Sequence, residues 1–135
     1  MPANISVAHG KLLKSLTLSV KTEWHYLTSA EHCKRDAKGR LNAARARLAK
    51  AGQVMAETRE EYEYAKRLQD RGPVYLHLFL QASDIWVGAA EEFLHLEKLA
   101  NLEANSVPKW ELECDERRSK ISAALRAIEN IRARY

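Results

Sequence analysis

Between Pro73 and Leu102 the chain reads PVYLHLFLQASDIWVGAAEEFLHLEKLANL, and this stretch constrains the fold more than any other. Wound as a helix, it carries apolar side chains on most of its circumference. Leu78, Ala82, Ile85, Ala89, Leu96 and Leu99 form one stripe, at mixed spacings of three, four and seven. Phe79, Trp86, Phe93 and Ala100 form a second stripe at intervals of seven. Only His77, Gln81, Asp84, Glu91, His95 and Lys98 leave a narrow polar line. A helix of this kind must be covered on several sides. The remaining segments are therefore expected to wrap it.

Those segments also read as helices. Ala, Leu, Glu, Lys and Arg are abundant, while five Gly and three Pro in 135 residues supply few breakers. That balance favours an all-α chain. A first helix is expected to begin after Asn4 or Ser6 and to run to about Arg35. Leu13, Leu16, Val20, Trp24 and Leu27 would share its inner face, with Leu12 and Ala30 beside them. Gly39, in the weak helix-forming run Asp36-Ala37-Lys38-Gly39, marks either a break or a mild kink in one long helix.

From Arg40 to Asp70 the pattern becomes a coiled-coil seam. Leu41, Leu48, Met55 and Tyr62 recur every seven residues, and Ala44, Ala51, Thr58 and Ala65 occupy the positions three further on. Large residues on one line and small ones on the other let a partner helix approach closely. Arg71-Gly72-Pro73 then stops this helix and starts the next, glycine suiting the position past a helix end and proline the first turn. Ala104-Asn105-Ser106-Val107-Pro108 repeats that grammar. A last helix from about Pro108 towards Tyr135 would turn Trp110, Cys114, Ile121, Leu125, Ile128 and Ile131 inward. Short connections favour antiparallel neighbours. The expected fold is a single all-α domain over 1–135, an antiparallel up-down bundle of three to four helices with a coiled-coil-like second helix.

Charge comes in blocks. From Lys34 to Lys50 seven bases stand against Asp36, a net of +6; from Glu91 to Glu116 eight acids stand against Lys98 and Lys109, a net of −6. From Arg117 to Tyr135 six bases stand against Glu129, a net of +5. The formal net charge of +4 thus conceals a polarised molecule. Such blocks can steer a partner of opposite sign or set how copies stack.

Catalytic chemistry finds little purchase. Glu92-Phe93-Leu94-His95 has the Glu-x-x-His spacing of di-iron carboxylate bundles. Those need a second such motif and a glutamate from each of two other helices, and this sequence has no second motif. His77, Gln81, Asp84, Glu91 and His95 share a face, as a solvent-facing line would. His25 and His32, seven apart with Cys33 adjacent, read the same way. No nucleophile elbow, Ser-x-x-Lys or glycine-rich phosphate loop occurs. Cys33 and Cys114 lack companions at zinc spacing; reduced packing thiols are the first reading and a single bridge between helices the second. No enzyme activity, metal or cofactor is expected.

No uncharged apolar run of about 18 residues is present, so no membrane span is expected. Residues 1–22 contain Lys11, Lys14 and Lys21 and no acid, a composition shared with mitochondrial transit peptides, but they lack Arg. The expected compartment is the cytoplasm, with the mitochondrion as the alternative. Two short likenesses occur. Trp86-Val87-Gly88, followed by Ala89, Ala90 and Phe93, resembles the Trp-x-Gly signature of helical-hairpin proteins exported by type VII secretion. In those proteins the tripeptide marks a turn, whereas here it lies inside the strongest helical pattern. Lys34 to Arg67, basic and alanine-rich with a heptad seam, is similar in texture to membrane-bending BAR domains, whose helices are much longer.

The residues therefore point to a non-enzymatic protein–protein interaction module, an accessory, scaffold or adaptor subunit whose partners are other protein subunits or further copies of itself. The alternative is nucleic-acid or anionic-surface binding through the basic 34–50 segment. In either reading Lys34, Arg35, Lys38, Arg40, Arg45 and Arg47 are the candidate contacts.

Overall fold

The structure is a computed structural model in which residues 6–135 are described. Two long helices account for nearly all of it. Helix α1 spans Val7–Leu68, a 3-10 turn covers Gln69–Arg71, and helix α2 spans Pro73–Arg132. The all-α expectation holds, but two helices pack together where three or four were expected. Both start and stop signals at the turn act as read. Gly72 sits at φ 146°, a conformation only glycine adopts comfortably, and Pro73 opens α2. Ser6 caps α1, its Oγ accepting from the amide of His9 at 3.1 Å. Asn4 lies outside the described residues.

The chain breaks neither at Gly39, where a break or a mild kink was expected, nor at Pro108, where a new helix was expected to start. Gly39 is helical, exposed, and has nothing within 4 Å of where a Cβ would stand. Setting Leu41 at heptad position a puts Gly39 at f, the outermost place. Its neighbours Ala37 (0% exposed) and Leu41 (8% exposed) are both buried, and their packing offsets the propensity cost of about 1 kcal/mol. Pro108 likewise lies inside α2. It occupies an exposed position between half-buried Val107 and Trp110 and deprives the Ala104 carbonyl of its helical amide partner.

The chain divides into two compact units. Unit 2, Lys38–Asn105, is a helical hairpin closed by the turn. Every residue of the expected seam, from Leu41 and Ala44 through Tyr62 and Ala65, is buried or half-buried. Facing them is the seven-residue row Phe79, Trp86, Phe93 and Ala100 with Ala82, Ala89 and Leu96. Small residues on α1 thus oppose large ones on α2. Near the turn Tyr62 stacks on Trp86, ring centroids 4.9 Å apart, and meets Phe79 at 5.4 Å. Gly52 admits the Phe93 ring, which would lie 3.3 Å from an added Cβ. Thr58 returns its hydroxyl to the carbonyls of Val54 and Met55, so a polar seam residue stays satisfied.

Unit 1 comprises Met1–Ala37 and Ser106–Tyr135, of which 6–37 and 106–135 are described. Its core is Leu27, Ala30, Cys114 and Ile121, with Val20 and Trp110 against them. Burying one such aliphatic side chain stabilises by about 1.5–3 kcal/mol. Both cysteines are free thiols, Cys114 fully buried and Cys33 half-buried, so the bridge is not formed. Three residues expected on or beside the inner faces are exposed instead: Leu12 by 46%, Trp24 by 60% and Leu125 by 50%. The inward slot beside Trp24 belongs to Glu23. Its carboxylate accepts from Arg117 at 2.9 Å, and Arg117 also donates to Glu113 and lies 4.8 Å from the Tyr26 ring centroid. The hydrogen bonds from Arg117 to Glu23 first and Glu113 second raise its pKa further above the usual arginine value. At the end of this unit His9 Nδ1 and the Tyr135 hydroxyl are hydrogen-bonded, with their rings edge to face.

Candidate interaction surface

On α2, heptad positions follow from Phe79, Trp86 and Phe93 at a. A helical wheel places positions e and b together, about 100° round from the a/d seam. In unit 2 these are Leu76, Leu80, Ser83, Val87, Ala90 and Leu94, spaced 4-3-4-3-4. The four large ones are exposed, by 46–55%, and the small Ser83 and Ala90 are half-buried. On the opposite flank Leu78, Ile85 and Leu99 are exposed at position g. The polar line His77, Gln81, Asp84, Glu91, His95 and Lys98 faces solvent throughout, as its chemistry requires.

The stripe set out first in the sequence therefore splits. Ala82, Ala89 and Leu96 turn inward, while Leu78, Ile85 and Leu99 stay outside. Wrapping is supplied on one side only. Among the described residues twenty large hydrophobics are exposed, and half of them fall between Val74 and Leu102. The chain as a whole exposes 10052 Å², against roughly 7,200 Å² for a folded monomer of 15.4 kDa.

The basic candidates fall in both units. Lys34 and Arg35 fall in unit 1, and Lys38, Arg40, Arg45 and Arg47 in unit 2. Lys34 is half-buried at a seam position, and the other five are exposed. Lys38 and Arg45 flank the seam on its e side, Arg40 and Arg47 on its g side, the places where coiled coils put charges that pair across helices. Arg40 does so, binding Glu103 at 3.2 Å. Arg47, Lys50 and Val54 of α1 and Ala89, Glu92 and Leu96 of α2 line a shallow groove of about 280 Å³ that is mostly apolar. The basic block of α1 thus faces the acidic block of α2 within the hairpin. Unit 1 repeats the device, Arg118 binding Glu31 at 2.9 Å.

A basic region of larger net charge lies in unit 1, where the acid-free start of the chain joins the 117–135 block. Between 7–22 and 117–135 there are nine bases and one acid, Glu129. Lys11, Lys14, Lys21, Lys120, Arg126, Arg132 and Arg134 are all exposed there. The signal was the acid-free start of the sequence, which acquires meaning only once α2 returns its own basic end beside it.

No group of three or more His, Cys, Asp and Glu among the described residues is arranged to hold a metal ion. Glu92 sits on the groove rim, and His95 lies on the exposed polar line. No described helix is long and apolar enough to cross a membrane. Comparison with protein-family models, curated proteins and solved structures gave no match.

Proposed function

We propose that this chain is a non-enzymatic protein–protein interaction module, a scaffold, accessory or adaptor subunit that works by docking helix faces. The observation that carries the reading is the apolar surface of α2 between Val74 and Leu102. Exposed apolar area of this extent marks an interaction site rather than a solvent boundary. Docking there would supply most of the binding energy. The charged flanks, with Arg40 and Arg47 on one side of the seam and Lys38 and Arg45 on the other, would select the partner and its orientation.

The test is site-specific photo-crosslinking from Val87 in the native host, with Lys11 as the control position. The reading expects crosslinked protein in excess at Val87, unaffected by nuclease. Equal and sparse labelling at both positions would refute it.

A second reading, binding to nucleic acid or another anionic surface, draws support from the exposed bases of unit 1. It expects affinity for a DNA or RNA duplex that falls steeply between about 50 and 200 mM salt. Reversing Lys14, Lys21 and Arg126 to Glu should then abolish binding. Binding that survives this reversal would remove unit 1 from consideration, and an unchanged outcome after reversing Arg40, Arg45 and Arg47 would do the same for the 34–50 block.

A further inference from the structure

We propose that the partner of the Leu76–Leu94 face is a second copy of this chain, packed antiparallel α2 against α2. This deepens the docking reading above and rests on it.

The first support is the pattern itself. Leu76, Leu80, Ser83, Val87, Ala90 and Leu94 form a second seam, and its 4-3-4-3-4 spacing is unchanged when read backwards. Antiparallel coiled coils pair each a-type position with a d-type position of the other strand. A twofold axis near Ile85 therefore sets Leu76 against Leu94, Leu80 against Ala90, and Ser83 against Val87. Two of the three layers place a small residue against a larger one, which is how facing positions interdigitate. Ser83 is the one polar member of the seam. A serine within a helix can return its hydroxyl to the carbonyl one turn earlier, so covering it need not strand a donor. A self-complementary patch of this kind is what an isologous interface requires.

The second support is area. The chain exposes 10052 Å², and the excess over a compact monomer of its mass is roughly 2,900 Å². Obligate homodimers bury about 1,000–2,500 Å² on each partner, so the excess of one chain is more than enough to supply such an interface.

The third support is charge. Unit 2 contains ten bases and ten acids and so has no net charge to oppose self-association. On the seam's outer rim His77 would come opposite Glu91 of the other copy. Asp84 would approach its own counterpart, a contact that water and salt screen at the surface. Since the second seam lies about 100° from the first, α2 would contact α1 on one side and its counterpart on the other. Two hairpins would then supply the four helices that one chain does not.

The experiment is sedimentation velocity of the full chain at micromolar concentration, with two sets of variants. The wild type should run at twice 15.4 kDa. Val87→Glu and Leu80→Glu alter side chains already exposed in the hairpin, so helicity should survive. Each should weaken association about a hundredfold or more by placing an unpaired charge in the interface. Orientation is read by disulfide trapping in a Cys33→Ser background. Antiparallel packing predicts that Ser83→Cys chains mixed with Val87→Cys chains crosslink to each other in preference to themselves. A monomeric wild type, a dimer indifferent to both glutamates, or preferential self-crosslinking of Ser83→Cys would each overturn the proposal. A monomeric wild type that still crosslinks to another protein from Val87 would leave the docking reading standing and show the occupant to be a different chain.

Discussion

Gly39 gives the sharpest test of the fold, because a chain broken there and a continuous α1 predict opposite responses. The residue is helical, faces solvent, and has no atom within 4 Å of a prospective Cβ. Gly39→Ala therefore adds no clash and removes backbone freedom from the unfolded chain, a gain of about 0.8–1 kcal/mol. Gly39→Pro deletes a helical hydrogen bond and presses its ring on the preceding turn, a loss of about 3 kcal/mol or more. With an unfolding entropy near 2.1 cal/mol/K per residue, 135 residues give roughly 0.28 kcal/mol/K. The alanine variant should then melt about 3–4 °C higher and the proline variant about 10 °C or more lower. Thermal unfolding followed by far-UV circular dichroism at one fixed protein concentration measures both, the fixed concentration removing any contribution from association. A proline variant that melts with the wild type, together with an alanine that gains nothing, would mean that the chain turns at Gly39 and that α1 is two helices.

Unfolding by heat or denaturant checks the remaining expectations. Pro108→Ala restores an amide to the interior of α2 and should stabilise by up to about 3 kcal/mol; no change would place Pro108 at the start of a separate helix. Leu27→Ala opens the unit 1 core beside Ala30, Cys114 and Ile121 and should cost about 2–5 kcal/mol in denaturant unfolding, whereas Leu125→Ala, half exposed, should cost far less. Glu23→Arg and Arg117→Glu should each lower the melting temperature and the double exchange should recover part of the loss; additive losses would show that the pair does not set the register of unit 1. Because the Arg117 pKa is raised, its charge persists through the neutral range, and its share of stability should be lost only above the ordinary arginine pKa.

The second half of α1 was legible in detail because its two sides differ. Leu41, Leu48, Met55 and Tyr62 against a charged exterior leave one phase for the helix, and all four residues are at least half-buried. The turn was legible because Gly72 and Pro73 each have a local backbone reason to be there. Pro108 was taken for a helix start, and Gly39 was left between a break and a kink, because propensity is local and weak. Burial of Ala37 and Leu41 on either side of the glycine, and half-burial of Val107 and Trp110 around the proline, outweighs it. Trp24 was assigned inward because it stands four residues after Val20 and three before Leu27. Glu23 takes that place because Arg117 reaches it from α2, a partner 94 positions away that no local window contains.

The Pro73–Leu102 stretch was ambiguous for a different physical reason. An α2 segment apolar at positions a, b, d and g, and at part of e, has no single preferred phase, so its own sequence could not say which stripe meets α1. The narrow a/d line of α1, small at d and large at a, resolves it by accepting Phe79, Trp86 and Phe93. What the segment did declare correctly was the amount of covering it needs. One hairpin partner covers about a third of its circumference, and position f, with His77, Asp84, Glu91 and Lys98, needs none. The remaining demand sits on the e/b row and on Leu78, Ile85 and Leu99, and no described residue of this chain answers it. Hydrophobic burial is indifferent to whether the covering helix shares a chain with the helix it covers. The requirement for more helices is therefore a property of α2 itself, and the second chain that would meet it is where the experiments on Val87 and Leu80 are aimed.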